Sequence, residues 1–470
     1  MSGPNTISPD PEKRGYHDVR PSSKDDTEYA VGKMDDFEDH EVFKQGAAVE
    51  FRTVGWIRAS VIMLKVIFAT GVLSIPVAMS SLGAVGGALS VIAWGALNTY
   101  TAVIQGDFRN NHPGVHSIAD MAREVGGVIV KEITGALFIV AYVLCTGSGI
   151  LGVSIGLNAL SHHAACTVWW SFLAYVVVAA CASVRKFHQI GWLASHRSSS
   201  QSSSSSSQSP YRDRPASAPQ TGDFELGYYA IAYPTFASGM VASCTIFVSS
   251  AGTSAFLPVI SEMRNPRDYR KSLFVCMGIV NAAYLSFSLV VYRWCGSWVA
   301  SPSLGSAGQT VKMVAYGVGL IGLVVSACLY LHVAAKYCFV RLLRNTHHLQ
   351  ENTLVHWATW LGLTFGLASI SFILAEAIPV FNYLLALTGS ICFAPIAISL
   401  PGWLWIHDHK SWMKGSVLQQ VAYWLHVALI PLGMFICVGG TYGVVELIIQ
   451  AYATGLIGTA FSCADNSNSS

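Results

Sequence analysis

Ten stretches of the sequence are long and apolar enough to cross a lipid bilayer, and this feature constrains the fold most. A helix needs about 20 apolar residues to span roughly 30 Å of hydrocarbon. The stretches fall near residues 56–80, 84–106, 133–157, 166–184, 236–261, 273–293, 311–335, 354–375, 380–406 and 420–449. Residues 1–58 carry 20 of the 54 charged side chains, which leaves 34 for the other 412 residues. Such a body cannot cover a water-facing surface, so the sequence predicts an all-α polytopic membrane protein and excludes a soluble enzyme.

The regions outside these stretches give the domain organisation. Residues 1–50 are polar and acidic, and they are predicted to form a disordered cytoplasmic tail. Residues 51–450 form the membrane domain, and residues 451–470 form a C-terminal tail. The net charge is +2 and no basic stripe with interleaved aromatic residues is present, so no nucleic-acid partner is expected.

The eleven cysteines are scattered, without a CxxC motif or a nearby histidine pair at zinc spacing. Most of them lie in apolar stretches, where a free cysteine acts as a small apolar residue. We therefore predict no metal site and no cofactor. A disulfide among Cys166, Cys295 and Cys463, which the predicted topology places outside, remains a minor alternative.

The distribution of Lys and Arg between the spans predicts the orientation, because cytoplasmic loops are enriched in them. With the N-terminal tail inside, the basic loops alternate correctly as far as Lys186. The 236–261 stretch would then deliver Arg264, Arg267, Arg270 and Lys271 to the outside. One crossing is therefore missing between Lys186 and Phe236, and this interval contains a Ser/Gln tract at residues 198–209.

Two explanations of this tract stay open. It is either a genuine solvated linker or an apolar helix read in the wrong frame. Serine codons of the TCN type become NTC when read one base out of step, and NTC encodes only Phe, Leu, Ile or Val. We favour a frameshift or a mispredicted splice over residues 193–211, in place of a fifth span.

Two of the apolar stretches carry the same interruption. It reads ATGVLSIP at residues 69–76 and SSAGTSAFLP at residues 249–258. Gly and the Pro that follows both weaken a helix, and in lipid the freed backbone groups must face protein or a water-filled cavity. Transmembrane helices tolerate single interruptions, but a matched pair indicates a secondary transporter with inverted repeats. A repeat of five plus five spans, with the first and sixth helices broken, also requires the missing crossing.

A broken helix presents backbone donors at one half and backbone acceptors at the other, which suits the zwitterionic head of an α-amino acid. We expect the amides of Gly71, Val72 and Leu73 to bind the carboxylate. Carbonyls near Ala69, Ser249 and Ser250 would bind the amine, and the side chain would lie among apolar and aromatic groups. The predicted substrate-binding residues are Ala69, Thr70, Gly71, Val72, Leu73, Ser249, Ser250, Ala251, Gly252, Thr253, Phe256 and Tyr330.

The two interrupted motifs resemble the amino acid/auxin permease family. They read KVIFATGVLSIPVAMSSLG (residues 65–83) and SSAGTSAFLPVISEMRNPRDYRKSL (residues 249–273). The runs DRPASAPQTGDFELGYYAIAYPTF (residues 213–236) and ASPSLGSAGQTVKMVAYG (residues 300–317) are similar to the fungal neutral amino acid transport branch. The resemblance covers about residues 43–409. It implies a leucine-transporter-like fold with an eleventh span, proton-driven uptake of neutral and aromatic amino acids, and the plasma membrane rather than the vacuole.

Three ionisable residues are candidates for proton coupling: Lys65, Glu262 and His332. Lys65 also reads as a snorkelling side chain, Glu262 as the partner of Arg264, and His332 as a satisfied histidine of the bundle. A nutrient receptor with the same pocket and a non-functional frame-shifted product are the alternative functions. An intramembrane enzyme is disfavoured because no catalytic dyad lies within the spans.

Overall fold

The structure is a computed structural model that describes residues 54–68, 71–112, 114–184, 215–219, 224–344, 346–349, 351, 353–455 and 460–467. The N-terminal tail (1–50), the Ser-rich tract (193–211) and the predicted site residues Ala69 and Thr70 lie outside the described residues. The twelve α-helices of the described part are α1 (Trp56–Ile67), α2 (Ile75–Asn111), α3 (Ile118–Ser161), α4 (Thr167–Ala182), α5 (Phe236–Ala251), α6 (Leu257–Glu262), α7 (Tyr269–Cys295), α8 (Gln309–Leu343), α9 (Leu354–Ala377), α10 (Phe381–Leu387), α11 (Leu400–Asp408) and α12 (Val417–Ala453).

The helices confirm a multi-pass membrane protein. In the described ranges, seven helical segments are long and apolar enough to cross a bilayer, and a pair bent by 41° (Phe381–Phe393 with Pro395–Asp408) adds an eighth. The chain passes through this bend in two π-helical turns, Thr388–Phe393 and Pro395–Ser399. Helix α4 is a shorter apolar helix of 16 residues. The first predicted span is divided between α1 and the start of α2, and Gly83 (φ 77°, ψ 167°) separates it from the second.

The two predicted interruptions are present, and they differ in form. Helix α1 ends at Ile67, a 3₁₀ turn covers Gly71–Leu73, and α2 begins at Ile75. Helix α5 instead tightens directly into the 3₁₀ turn Gly252–Phe256, after which α6 begins at Leu257. Proline lies in the first turn of the helix after each break, where its missing N–H removes no intrahelical hydrogen bond. The break between α5 and α6 is therefore a tightened helical turn and not an extended segment.

One end of the bundle is held by a disulfide between Cys166 and Cys463, and we term it the disulfide end. The sequence left this bridge as a minor alternative, and the structure selects this pair over Cys295, which is free and buried. The C-terminal segment also accepts hydrogen bonds there from Thr167 Oγ1 (to the carbonyl of Ala464, 2.7 Å) and Lys312 Nζ (to the carbonyl of Ser467, 2.8 Å). Residues 463–467 of the C-terminal tail are thus docked on this end.

The opposite end carries most of the ion pairs of the described part, and we term it the basic end. Arg270 pairs with Asp107, and Arg341 pairs with Glu132. Lys131 contacts Asp120 at 3.4 Å. These pairs lie where α2, α3, α7 and α8 begin or end, as the positive-inside pattern predicts for the cytoplasmic face.

The described chain leaves α4 at the basic end and resumes at the disulfide end. Trp360 Nε1 donates to the carbonyl of Ser183 (2.8 Å) near the start of α9. Ser217 donates to the carbonyl of Trp298, in the loop between α7 and α8. Seven described spans separate Cys166 from Cys463, yet the two cysteines share one end. Because seven is an odd number, the described spans account for one crossing fewer than this shared end requires, and residues 185–214 lie outside the described residues.

We therefore expect the genomic DNA across codons 193–211 to encode an apolar helix in a shifted frame. The physical reason is that a Ser/Gln run cannot satisfy its backbone and side-chain polar groups within hydrocarbon. Sequencing the locus and its transcript, and reading all frames, is the measurement. Stop codons or polar residues in both alternative frames would contradict the frameshift.

A second prediction concerns the disulfide. In intact cells, a membrane-impermeant maleimide should label Cys166 and Cys463 only after reduction by an impermeant phosphine. The double variant Cys166→Ser/Cys463→Ser should lose this labelling while retaining the buried thiols. Labelling that requires permeabilised cells would place the disulfide end in the cytoplasm and invert the predicted topology.

Candidate substrate site at two interrupted helices

The breaks in the first and sixth spans meet in the interior of the bundle. Gly71, Val72 and Leu73 are all buried, and so are Ser249, Ser250 and Thr253. A Cβ built on Gly71 would lie 2.8 Å from both Cα and Cβ of Ser249. Glycine at position 71 is therefore required by the approach of the two backbones, which no other residue would permit at this distance.

Hydroxyl groups bind the carbonyls that the first break leaves without helical partners. The Gly71 carbonyl accepts from Ser74 Oγ (2.7 Å), from Ser74 N (3.1 Å) and from Ser249 Oγ (3.3 Å). A buried carbonyl without a donor costs about 1–3 kcal/mol. Ser249 Oγ also lies 2.8 Å from the Thr245 carbonyl of its own helix, so its single hydroxyl proton is shared between the sixth span and the turn of the first span.

Tyr284, on α7, joins the two broken helices. Its hydroxyl lies 3.0 Å from the carbonyl oxygen of Ile67 and 3.1 Å from that of Ser249. Its ring is 2% exposed and stacks on Phe68 with ring centroids 5.5 Å apart. One hydroxyl proton is therefore shared between the last carbonyl of α1 and a carbonyl in the last turn of α5.

Two further side chains bind the second break. Asn98 on α2 donates through Nδ2 to the Phe247 carbonyl (3.1 Å) and to Ser250 Oγ (2.8 Å). The Tyr142 hydroxyl on α3 donates to the Gly252 carbonyl at 3.3 Å. The Ser250 hydroxyl is thus directed to α2 and away from the first break.

One polar atom at the second break is unsatisfied in the described part of the chain. Thr253 Oγ1 has no hydrogen-bond partner there, although the residue is only 1% exposed. Buried hydroxyls nearly always have a partner. An orphan hydroxyl inside the break is the kind of group that a polar ligand satisfies.

Aromatic rings lie beside the second break. Tyr142 packs against Phe138, Tyr330 and Phe393, with ring centroids 4.7, 6.2 and 5.8 Å apart. Phe256 is fully buried. Tyr330, predicted from the sequence, belongs to this aromatic group, whereas Phe256 lies in the 3₁₀ turn itself. The arrangement places apolar and aromatic surface next to the polar backbone of the breaks.

The three candidates for proton coupling lie in different surroundings. Lys65 is in the last turn of α1, where a cation is favourable beside the free carbonyls of a helix C-terminus. Glu262 ends α6 at the basic end, and its carbonyl accepts from Val54 N (3.1 Å). His332 is fully buried, 3.4 Å from the Ala182 carbonyl and against the Trp360 ring. Lys65 and Glu262 thus lie one helical segment away from the first and second breaks, and His332 packs against α4 and α9.

The two broken spans are held together at the basic end. The segment before α1 pairs with the segment after α6, because Arg264 N also donates to the Val54 carbonyl (2.8 Å). Ser272 Oγ donates to the carbonyl of Trp56 (2.9 Å), and Arg109, 2% exposed, donates to Ser261 (3.2 Å). These contacts tie the two broken spans to each other and to their neighbours at this end in the conformation described.

Sequence reasoning missed Tyr284, Tyr142 and Asn98. Each is a polar residue within an otherwise apolar stretch, and this is the signal that would have identified them. Their partners are carbonyls of a different span. The pairing therefore follows only from the three-dimensional fold.

Comparison with solved structures supports the same architecture. The chain is similar in fold to a nucleobase-cation-symport-1 family transporter in a closed conformation with bromovinylhydantoin bound. The TM-score is 0.51 at 13% sequence identity, over 89% of this chain and 96% of that one. This likeness shows a leucine-transporter-like class of fold, in which two broken helices meet inside the bundle.

Within that class, the chain belongs to the transmembrane amino acid transporter protein family, whose model matches residues 52–446. It is 47% identical to a protein named transmembrane transporter of Gibberella moniliformis, over 95% of this chain and 96% of that protein. It is 26% identical to the N amino acid transport system protein of Neurospora crassa, over 98% of this chain and 97% of that protein. The family predicted from the two motifs is confirmed.

Proposed function

We propose that the protein imports neutral and aromatic amino acids across the plasma membrane by proton symport, with its N-terminus in the cytoplasm. The observation that carries the proposal is the close approach of the two breaks at Gly71 and Ser249, tied by Tyr284. The N-terminus of α2 supplies amides for a carboxylate, and the ends of α1 and α5 supply carbonyls for an ammonium group. The family and the Neurospora crassa relative's name agree with an amino acid substrate.

The surroundings of the breaks support a neutral substrate. No Asp, Glu, Lys or Arg side chain is among the described contacts of Gly71, Ser249, Ser250 or Gly252. A charged substrate side chain would be left without a counter-ion there. The rings of Tyr142, Tyr330 and Phe393 instead offer a surface for an apolar or aromatic side chain.

Alternating access gives a mechanism. Backbone hydrogen bonds of Val54 with Glu262 and Arg264 hold the two broken spans together at the basic end in this conformation. We propose that binding of the amino acid between the breaks lets α1 and α6 separate from each other, so that the site opens to the cytoplasm. Lys65 is the preferred proton-coupling candidate because it lies in the last turn before the first break, while Glu262 and His332 remain secondary.

The test is uptake by proteoliposomes that contain the full chain, with the frame restored across residues 193–211 if the DNA requires it. Labelled phenylalanine and leucine should accumulate when the outside is acidic, and a protonophore should abolish the accumulation. An excess of unlabelled glutamate or lysine should not reduce the uptake of labelled phenylalanine or leucine. Saturable binding without uptake would support a receptor instead. The absence of both binding and uptake for the chain with residues 193–211 unchanged would support a non-functional product.

A further inference from the structure

Two histidines and an aspartate from distant parts of the sequence meet at the basic end. His112 caps the end of α2, and His407 and Asp408 are the last residues of α11. Asp408 Oδ1 lies 2.8 Å from His112 Nε2 and 3.4 Å from His407 Nδ1. The three ligand atoms all lie within 4.8 Å of one another. This cluster lies apart from the two breaks and has no part in the proposed substrate site.

Packing fixes the orientation of the two imidazoles. The Phe108 ring, 2% exposed, stacks on His112 with centroids 4.0 Å apart and planes inclined by 24°. It also meets the His407 ring edge-on at 6.1 Å. Phe108, one turn before His112 on α2, therefore holds both imidazole rings in place. Fixed rings lose less conformational entropy when they bind a ligand.

The cluster also has room for an exogenous ligand. The side chains of His112, His407 and Asp408 are 28%, 27% and 17% exposed. Asp408 also borders a cavity of about 340 Å³, which His409 but neither of the two cluster histidines lines. A metal with three protein ligands at this partly exposed position keeps a fourth coordination site open for solvent water.

We propose that His112, His407 and Asp408 form a binding site for a divalent transition metal, best matched by Zn²⁺, that links α2 to α11. Two imidazole nitrogens and a carboxylate oxygen are a ligand set that zinc accepts, with a water molecule as the fourth ligand. Tetrahedral bonds of about 2.1 Å place ligand atoms about 3.4 Å apart. The two observed separations to Asp408 Oδ1, 2.8 and 3.4 Å, are near this value, and the two histidine nitrogens lie within 4.8 Å of each other, so metal binding would draw the rings together.

The site has a consequence for transport, and this consequence rests on the proposed function. Helix α2 contains the outer half of the first broken span, and α11 is the end of the bent tenth span. A metal that joins them restrains the motion that alternating access requires. Zn²⁺ on the cytoplasmic side should therefore slow uptake, and a chelator should restore it.

The binding test uses the purified full chain and Zn²⁺ alone, titrated in competition with a chromophoric chelator. We expect one Zn²⁺ per chain, and a loss of affinity of at least tenfold in His112→Ala and in His407→Ala. His409→Ala is the matched control: this neighbouring histidine stacks on Trp405 and donates to its carbonyl, outside the cluster. X-ray absorption of the zinc-loaded chain should show nitrogen and oxygen ligands without sulfur.

Unchanged affinity in the His112→Ala/His407→Ala double variant would overturn the site, as would sulfur ligation. A parallel uptake assay distinguishes this failure from that of the proposed function, because binding is measured without any transport. Stoichiometric binding with uptake unaffected by Zn²⁺ would overturn the restraint on α2 and α11. Stoichiometric binding with slowed uptake in wild type, and unaltered uptake in the double variant, would support both parts.

Discussion

Gly71→Ala is expected to reduce amino acid uptake by about 100-fold or more, whereas Gly252→Ala should retain most of it. The Cβ added at position 71 would lie 2.8 Å from both Cα and Cβ of Ser249. Backbone cannot yield as a flexible side chain does, so the two breaks must move apart. A displacement approaching 1 Å at a binding site costs about 100-fold in rate.

Gly252→Ala is the matched control for this substitution. Its added Cβ would meet Ile67 Cδ1 at 3.5 Å and the Tyr142 hydroxyl at 3.9 Å, which are ordinary contacts. Its φ of −70° suits any residue. Initial rates of labelled uptake, normalised to the amount of each variant at the cell surface, are the measurement. Equal loss in the two variants, or normal uptake by Gly71→Ala, would contradict the assigned close approach.

Tyr284→Phe is expected to lower uptake by about 10- to 100-fold while the protein still folds and inserts. The substitution removes the hydroxyl shared by the carbonyls of Ile67 and Ser249. A buried polar group left without its partner costs about 1–3 kcal/mol, which corresponds to this range of rates. The loss falls on the geometry of both breaks because the same hydroxyl serves both.

Tyr269→Phe provides the control on the same helix. Tyr269 is also buried, and its hydroxyl also donates to a backbone carbonyl, that of Ala102 at 3.2 Å, away from the breaks. Thermal stability of the two purified variants should fall by similar amounts, and uptake should fall only in Tyr284→Phe. A parallel fall of uptake and stability in both variants would show that Tyr284 acts on folding alone.

The spans and the breaks were predictable because they follow from local chemistry. In lipid, an apolar stretch of about 20 residues satisfies its backbone N–H and C=O groups by forming a helix. The Gly/Pro pairs mark where such a helix is interrupted. The structure ends α1 at Ile67 and begins α2 at Ile75, as the motif at residues 69–76 predicts. The Lys and Arg pattern lacks one crossing between Lys186 and Phe236. The structure agrees with this, because Ser183 and Ser217 lie at opposite ends of the bundle.

The partners of the breaks were not predictable, because they come from distant spans. Tyr284 and Asn98 lie 35 and 151 residues from Ser249 in the sequence, and no spacing rule links them to it. From the sequence alone, Gly71 and Gly252 had the same predicted role. Only the fold shows that Gly71 lies against the Ser249 backbone, whereas Gly252 lies at ordinary contact distance from the side chains of Ile67 and Tyr142. The cluster of His112 with His407 is a further example, since almost 300 residues separate its members.

The most direct test of the account is a cryo-electron microscopy map of the full chain in lipid nanodiscs, determined with and without a saturating neutral amino acid. We expect added density beside the contact of Gly71 with Ser249, with the carboxylate within about 3 Å of the amides of residues 71–73. Density at any other site, or an uninterrupted α-helix through Gly71 that faces lipid, would contradict the proposed binding of a zwitterion between the two breaks.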